Sequence, residues 1–273
     1  MTVDPGSCLA ALGIAAPTAM VRRHALGKLG IQLAGDAGFV KLAPTPATAA
    51  GLRREAAAYA LPPPPAPYRR PVLIDFHDGG GWAALWLRTE TAAPWSRRRA
   101  LMPRHGPYEG LVSGRHRIGD MMPAHAVPGF ADWHRRLVDR HGDRAIAVAP
   151  SHGDFVYWNL LDGPVLLDFE NFQADAPRHH DRLSWTVVPF GRRAMALGLG
   201  RLAAAAGPWL ARRLLPDESS AEAELALFLL HHAERLAAET ALVAAEAIDD
   251  HAAQRQRDRL LSLYPLLLAG LLA

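Results

Sequence analysis

The segment APSHGDFVYWNLLDGPVLLDFENF, residues 149–172, is the strongest constraint on how this chain can fold. Asp154, Asn159 and Asp168 interrupt an otherwise apolar text, in which Phe155, Val156, Tyr157, Trp158, Leu160 and Leu161 pin a loop against a core. Carboxylates are costly to bury unless a cation or hydrogen bonds offset their desolvation. VLLDF reads as a buried strand ending in a carboxylate, and Asp162-Gly163 as the turn of a hairpin. Folding back at that turn brings Asn159 and Asp168 together, with Asp154 on the rim. Two carboxylates and an amide are hard oxygen donors, the set magnesium prefers when substrate phosphates complete its shell.

The flanking sequence supplies two lobes. Residues 1–20 suit a short helix or an arm. From Val21 to Ala43, short apolar runs are broken by Gly27, Gly30, Gly35 and Gly38, which predicts two or three antiparallel strands joined by tight turns. The last of these covers 38–43 and stops at Pro44 and Pro46. Residues 47–61 are rich in helix formers, and the polyproline stretch from Pro62 must end that helix. PVLIDFHD (71–78) and GWAALWLRT (81–89) flank Gly79-Gly80 as a hairpin. Residues 90–124 read as a connector with short irregular elements. Helices are predicted at 127–141, 191–214, 219–247 and 250–271. The expected organisation is α+β: an N-terminal antiparallel sheet plus one helix over 1–92, and a mainly helical lobe over 93–273.

Composition narrows the function classes. The formal net charge of +3 is mild for 273 residues, and the runs Arg22-Arg23 and Arg97-Arg98-Arg99 are short. No nucleic-acid partner is expected. Cys8 is the lone cysteine, so no internal disulfide or cysteine-based metal cluster can form, which suits a cytoplasmic enzyme. The apolar stretch from Cys8 to Met20 follows Asp4 and precedes arginines, the reverse of a secretory signal. The terminal run LLSLYPLLLAGLLA is too short to span a bilayer and reads as a last core helix; no membrane partner is expected. Of the 30 basic residues, Lys28 and Lys41 alone are lysine. Lysines retained in so arginine-rich a chain are candidates for a specific task.

His152-x-Asp154-x-x-x-x-Asn159 followed by Leu167-Asp168-Phe169-Glu170 resembles the motif pair of the aminoglycoside phosphotransferase and choline kinase group, relatives of the protein kinases. The resemblance implies a protein-kinase-like two-lobed fold with ATP in the cleft between the lobes. By position, Asp154 accepts or orients the proton of the attacking hydroxyl, while Asn159 and Asp168 hold Mg2+ against the ATP phosphates. It further implies that His152 holds the loop and that Asp181, in HHDRLSW, braces it. Glu170 either assists the metal or caps the strand. The family's ATP-anchoring lysine corresponds to Lys41, in an apolar-apolar-Lys-apolar strand. Its partner corresponds to Glu55, which shares the inward face of the next helix with Leu52 and Tyr59.

The chain departs from the family in three places. It has no G-x-G-x-x-G loop, only the glycine-containing turns between Gly27 and Gly38. Ala176-Pro177 stands where the family usually shows Asp-Pro, and Val156-Tyr157 are bulkier than the residues common there. Other signals are weaker: His179-His180-Asp181 as a metal phosphohydrolase site needs further spaced ligands, for which His134, His231 and His232 are the candidates, and Ser151, His152 and Asp154 are too close in sequence for a hydrolase triad. The expected activity is ATP-dependent, magnesium-assisted phosphate transfer to a hydroxyl of a small molecule: an aminoglycoside-like antibiotic, sugar, nucleoside or amino alcohol. A catalytically silent ATP-binding regulator on the same scaffold is the alternative. A polycationic acceptor requires acids, for which Glu218, Glu222, Glu224, Glu234, Glu239, Asp249 and Asp250 are available on the later helices.

Overall fold

A computed structural model describes residues 4–15, 18–23, 27–35, 37–93, 105–123, 127–216, 218–246, 248 and 251–272. In chain order, the first half contains α1 (Pro5–Ala11), β1 (Thr18–Arg23), β2 (Leu29–Leu33), β3 (Phe39–Ala43), α2 (Pro46–Tyr59), β4 (Leu73–Asp78), β5 (Ala83–Leu87), β6 (Gly114–Arg117) and α3 (Ala131–His141). The second half contains β7 (Ala145–Ser151), β8 (Leu160–Leu161), β9 (Val165–Leu166), β10 (Gln173–Pro177), α4 (His180–Ala196), α5 (Gly200–Ala205), α6 (Gly207–Leu214), α7 (Ala221–Ala245) and α8 (His251–Leu271). This is the α+β pattern expected from the sequence. The predicted arginine run 97–99 and the acids Asp249 and Asp250 lie outside the described residues.

Two compact units divide the chain, and the first comprises residues 1–95, 158–172 and 242–250. Its five strands form one antiparallel sheet in the order β1-β2-β3-β5-β4. Gly38 is essential to the β2–β3 turn: its φ is +118°, and a Cβ there would sit 2.5 Å from the Leu87 carbonyl oxygen. Helix α2 starts at a capping box in which the Thr45 hydroxyl accepts from the Thr48 N–H, the Thr48 hydroxyl accepts from the Thr45 N–H, and Pro46 takes the first turn. Its inward stripe of Ala49, Leu52 and Glu55 is fully buried, Ala49 and Leu52 against Ala43, Ala83 and Leu85 of the sheet. The hairpin predicted at Asp162-Gly163 is present, pairing Leu160 with Leu166 and Leu161 with Val165. The strand predicted through VLLDF is shorter than expected, because the backbone turns left-handed at Asp168 and continues as a 3-10 turn over Phe169–Asn171.

The second unit comprises residues 96–157, 173–241 and 251–273. Strands β10-β7-β6 form an antiparallel sheet, and α4 to α8 supply the helical part. Leu225 to Leu230 are buried without a break along α7, the signature of a central helix enclosed by others. Leu183 and Val187 of α4 and Leu260, Leu263 and Leu267 of α8 complete that core. The helix predicted over 191–214 is instead three. α4 begins earlier, at His180, and ends before Gly198, whose φ of +69° suits the left-handed residue after a helix. Gly207 and Pro208 then start α6. The terminal apolar run packs as α8, with Leu260, Leu263, Leu267, Leu268 and Leu271 buried. No helix among the described residues is long and apolar enough to cross a membrane.

Two adjacent histidines on α7 are held neutral by this core. His231 donates from Nε2 to the Met121 carbonyl at 2.6 Å, and burial pulls its pKa down to about 4. Burial, then the charge of Arg235, holds His232 well below the ordinary histidine range. In the unfolded chain both take up protons below about pH 6.5. Because the unfolded state then binds more protons, these groups stabilise the fold above pH 6.5 and the contribution is lost as pH falls towards 4. Melting temperature measured across that window should fall with pH. His231→Gln, which keeps the donor to Met121 without the titration, should flatten the profile.

Candidate active site

In the first unit, Lys41 of β3 points its ammonium at two carboxylates. It donates to both oxygens of Glu55, at 2.8 and 2.9 Å, and to Oδ1 of Asp168 at 2.9 Å. Glu55 is fully buried on α2. Burial would lower the pKa of Lys41, but Asp168 and Glu55 outweigh it and hold the ammonium charged. Burial pushes Glu55 up, against the attraction of Lys41.

Asp168 is the lone non-glycine residue with positive φ among the described residues, at φ 68° and ψ 65°. A left-handed backbone costs a side-chain-bearing residue roughly 1 kcal/mol or more, with Asn and Asp paying least. The surroundings hold it there. Leu167 donates its N–H to the Asn159 carbonyl at 2.9 Å. Phe169 is fully buried, its ring 6.0 Å from Tyr59 in an edge-on contact. Arg54 donates from Nε to the Glu170 carbonyl at 2.9 Å. The Glu170 carboxylate pairs with Lys28.

Lys41, Asp168, Lys28 and Glu170 line a cavity of about 430 Å³. Leu29, Phe39, Leu87, Leu161 and Leu167 give it apolar walls, while Lys28, Lys41, Asn159, Asp168 and Glu170 converge on it as polar groups. A large apolar pocket with a few convergent charges is the usual form of a small-molecule site. Among the described residues there is no cluster of three or more His, Cys, Asp and Glu suited to a metal. Asn159 and Asp168 offer two hard oxygens at the same cavity, which fits magnesium provided a ligand's phosphates supply further oxygens.

In the second unit the HGD loop is built around Asp181, at the start of α4. Its carboxylate accepts from the Ser151 hydroxyl at 2.7 Å and from the backbone N–H groups of His152 and Gly153 at 2.9 and 3.1 Å. Burial alone would raise this carboxyl; His180 and His152 outweigh it and hold it below its ordinary value. Gly153 has φ +80°, so the turn there favours glycine. The Asp154 N–H donates to Nδ1 of His152 at 3.3 Å. Arg235, from α7, donates from Nη1 to the Gly153 carbonyl at 2.7 Å and from Nη2 to Oδ1 of Asp154 at 3.0 Å. The same Nη2 lies 2.6 Å from Nε2 of His232, whose Nδ1 is 2.5 Å from the Tyr264 hydroxyl. Asp154 is thus oriented from the loop side by His152 and from the helix side by Arg235.

Comparison with solved structures places this architecture. The chain superposes on a thermostable mutant of aminoglycoside phosphotransferase APH(4)-Ia, in its ternary complex with ADP and hygromycin B, with a TM-score of 0.54 at 12% identity, covering 96% of this chain and 97% of that one. The apo form of the thermostable mutant gives 0.52 at 12% identity, over 94% of this chain and 97% of that one. The chain has the aminoglycoside phosphotransferase fold. No protein-family model and no curated protein sequence matches it.

Within the aminoglycoside phosphotransferase fold, the residues singled out from sequence fall on both units. Lys41, Glu55, Asn159 and Asp168 belong to the first, where Lys41 joins Glu55 to Asp168; Asp154 belongs to the second, with Arg235. Arg235 escaped sequence reasoning because it is one of 28 arginines in the chain, although the only one on α7. Its place one turn from the paired histidines and beside Glu239 was the available signal. Three of the acids considered for a polycationic ligand are engaged within the second unit. Glu224 accepts from Ser220 at 2.7 Å and lies 2.8 Å from Nδ1 of His179. Glu239 faces Arg235 and Arg257 at 3.7 and 3.9 Å, and Glu218 faces Arg178 at 3.9 Å.

Removing one partner of a buried ion pair leaves an uncompensated charge, at about 3–5 kcal/mol, whereas replacing both partners by apolar groups is often neutral. Lys41→Met should therefore destabilise the protein in urea titrations. The double change Lys41→Met with Glu55→Leu should recover most of the loss.

Proposed function

We propose that this protein is a small-molecule kinase that transfers the γ-phosphate of ATP to an alcohol group. The observation that carries the reading is the Lys41 ammonium, fixed between a fully buried helix carboxylate and the left-handed Asp168 at an apolar-walled cavity. A charged donor set so arranged suits a nucleotide: apolar walls for the base, cations for the phosphates. The solved relative with this fold holds ADP and hygromycin B, and the sequence motif around Asp154, Asn159 and Asp168 carries the same reading.

In this mechanism Lys41 orients the phosphates, and Glu55 fixes Lys41 so that its charge is placed before the ligand arrives. Asn159 and Asp168 are the residues that would hold Mg2+; when bound, the metal neutralises charge on the transferring phosphate oxygens. Asp154 receives or directs the proton of the acceptor hydroxyl, its carboxylate held at one oxygen by Arg235. The engagement of Glu218, Glu224 and Glu239 by basic residues, and the net charge of +3, favour a neutral or weakly charged acceptor such as a sugar, nucleoside or amino alcohol over a polycationic aminoglycoside.

A thermal-shift titration with ATP and magnesium, followed by a phosphotransfer assay over pooled hydroxylated metabolites and antibiotics, tests this. ATP with magnesium should raise the melting temperature. Asp154→Ala should lower turnover by roughly 10²–10⁴-fold while leaving nucleotide affinity near wild type. Asp168→Asn should lose activity together with the magnesium dependence of nucleotide binding. Nucleotide binding with no turnover on any hydroxylated compound would instead support the silent regulator, and no stabilisation by ATP with magnesium would sink both readings.

A further inference from the structure

Lys28 is the second of the two lysines in this arginine-rich chain. It follows Gly27 ahead of β2 and lines the same cavity as Lys41. Its ammonium pairs with Glu170, two positions beyond Asp168. Both side chains are largely withdrawn from solvent, at 12% and 16% exposure, so this is not the solvated ion pair that decorates most surfaces. Burial would lower the pKa of Lys28, but Glu170 and then Asp168 outweigh it, and the lysine stays charged. Glu170 is anchored from a second direction, since Arg54 binds its carbonyl at 2.9 Å and Gly51 of α2 leaves the carboxylate room at 3.1 Å from where a Cβ would stand.

Donor counting shows why a second cation matters. An ammonium has three N–H groups. Those of Lys41 are matched by Oε1 and Oε2 of Glu55 and Oδ1 of Asp168, all within 2.9 Å. A polyphosphate reaching Lys41 must displace one of these bonds or share it. Among the described residues Lys28 directs one N–H, at Glu170, which leaves donor capacity for an anion in the cavity. The sequence also lacks the G-x-G-x-x-G loop whose backbone N–H groups would otherwise cover phosphates. A lysine, a compact charge on a flexible stem, can serve in place of such a loop.

We propose that Lys28 is a second phosphate-binding cation of the nucleotide site, reaching the phosphate nearest Asp168 from its place beside Glu170. This rests on the nucleotide reading above. Lys28 then bridges two anions, the carboxylate and the phosphate, and compensates for the absent glycine-rich loop. The competing account is a structural brace, in which Lys28 and Glu170 merely tie the start of β2 to the turn after Asp168.

Calorimetric titration of the full chain with adenosine and with ATP, each in the presence of magnesium, separates the two. The proteins are wild type, Lys28→Gln, Lys28→Arg and Glu170→Gln, each first shown by circular dichroism to be folded. For a phosphate contact, Lys28→Gln should weaken ATP about tenfold, the scale of one charge-assisted hydrogen bond. Its adenosine affinity should stay within about twofold, an interaction the lysine does not make. Lys28→Arg should retain most ATP affinity, and Glu170→Gln should bind ATP as well as wild type or better, because the lysine is released to the phosphate. Equal weakening of ATP by Lys28→Gln and Glu170→Gln, or equal weakening of ATP and adenosine by Lys28→Gln, would overturn the proposal in favour of the brace. ATP uptake indifferent to Lys28→Gln overturns this proposal alone. A wild-type chain that takes up neither ligand overturns the nucleotide reading and this one with it.

Discussion

The ammonium of Lys41 sets the terms for the first unit. A carboxylate as buried as Glu55 cannot stay ionised in an apolar stripe without a cation at contact distance, and Lys41 meets that need with two hydrogen bonds. The third bond, to Asp168, ties the same charge to a different stretch of chain. Strand β3, helix α2 and the turn at 168–170 are therefore joined through one atom. Such a partly buried trio contributes little net stability, because desolvation, of Glu55 above all, offsets most of the attraction. What it contributes is position: helix α2 cannot rotate or slide without stranding a charge.

The second unit solves a related problem with a different device. Asp154 sits on a loop whose backbone N–H groups converge on Asp181, so the loop is shaped by one buried carboxylate and its direction is set by a guanidinium from α7. The planar fork of arginine reaches the Gly153 carbonyl from one nitrogen and Asp154 from the other, in a fixed geometry. Beyond it, neutral His232 and Tyr264 continue a chain of polar contacts into the apolar core, and neutrality of the imidazole is what allows an arginine to approach it at 2.6 Å. The first unit fixes a cation with carboxylates; the second fixes a carboxylate with a cation.

Much of this was legible from residues alone. The glycine spacing between Gly27 and Gly38 announced the strands, the proline run announced the end of α2, and Asp162-Gly163 announced the hairpin. The contact between Lys41 and Glu55 followed from an acid placed on a buried stripe. What escaped sequence reasoning depends on distant chain. The break after α4 needed knowledge that Gly198 would take the left-handed conformation, while the alanine-rich text around it favours an unbroken helix. Lys28 and Glu170 are 142 positions apart, so no local pattern links them. Arg235 and Asp154 are joined in the same way across 81 positions. Conversely, three of the acids that looked available for a cationic ligand, Glu218, Glu224 and Glu239, face internal basic partners, because a helix face that reads as solvated can be claimed by a neighbouring residue.

The left-handed backbone at Asp168 narrows how this position can change over evolutionary time. Its side chain answers to Lys41 and its main chain answers to a steric rule, and the two demands overlap in very few residue types. Glycine and asparagine satisfy the backbone, and glutamate keeps the charge but meets the steric penalty in full; β-branched residues fail on both counts. Arg53 and Asp78, whose ion pair is exposed, are loosely constrained by comparison, whereas the backbone at 168 favours Gly and Asx side chains. Aspartate at 168 therefore answers to backbone geometry as well as to the charge of Lys41.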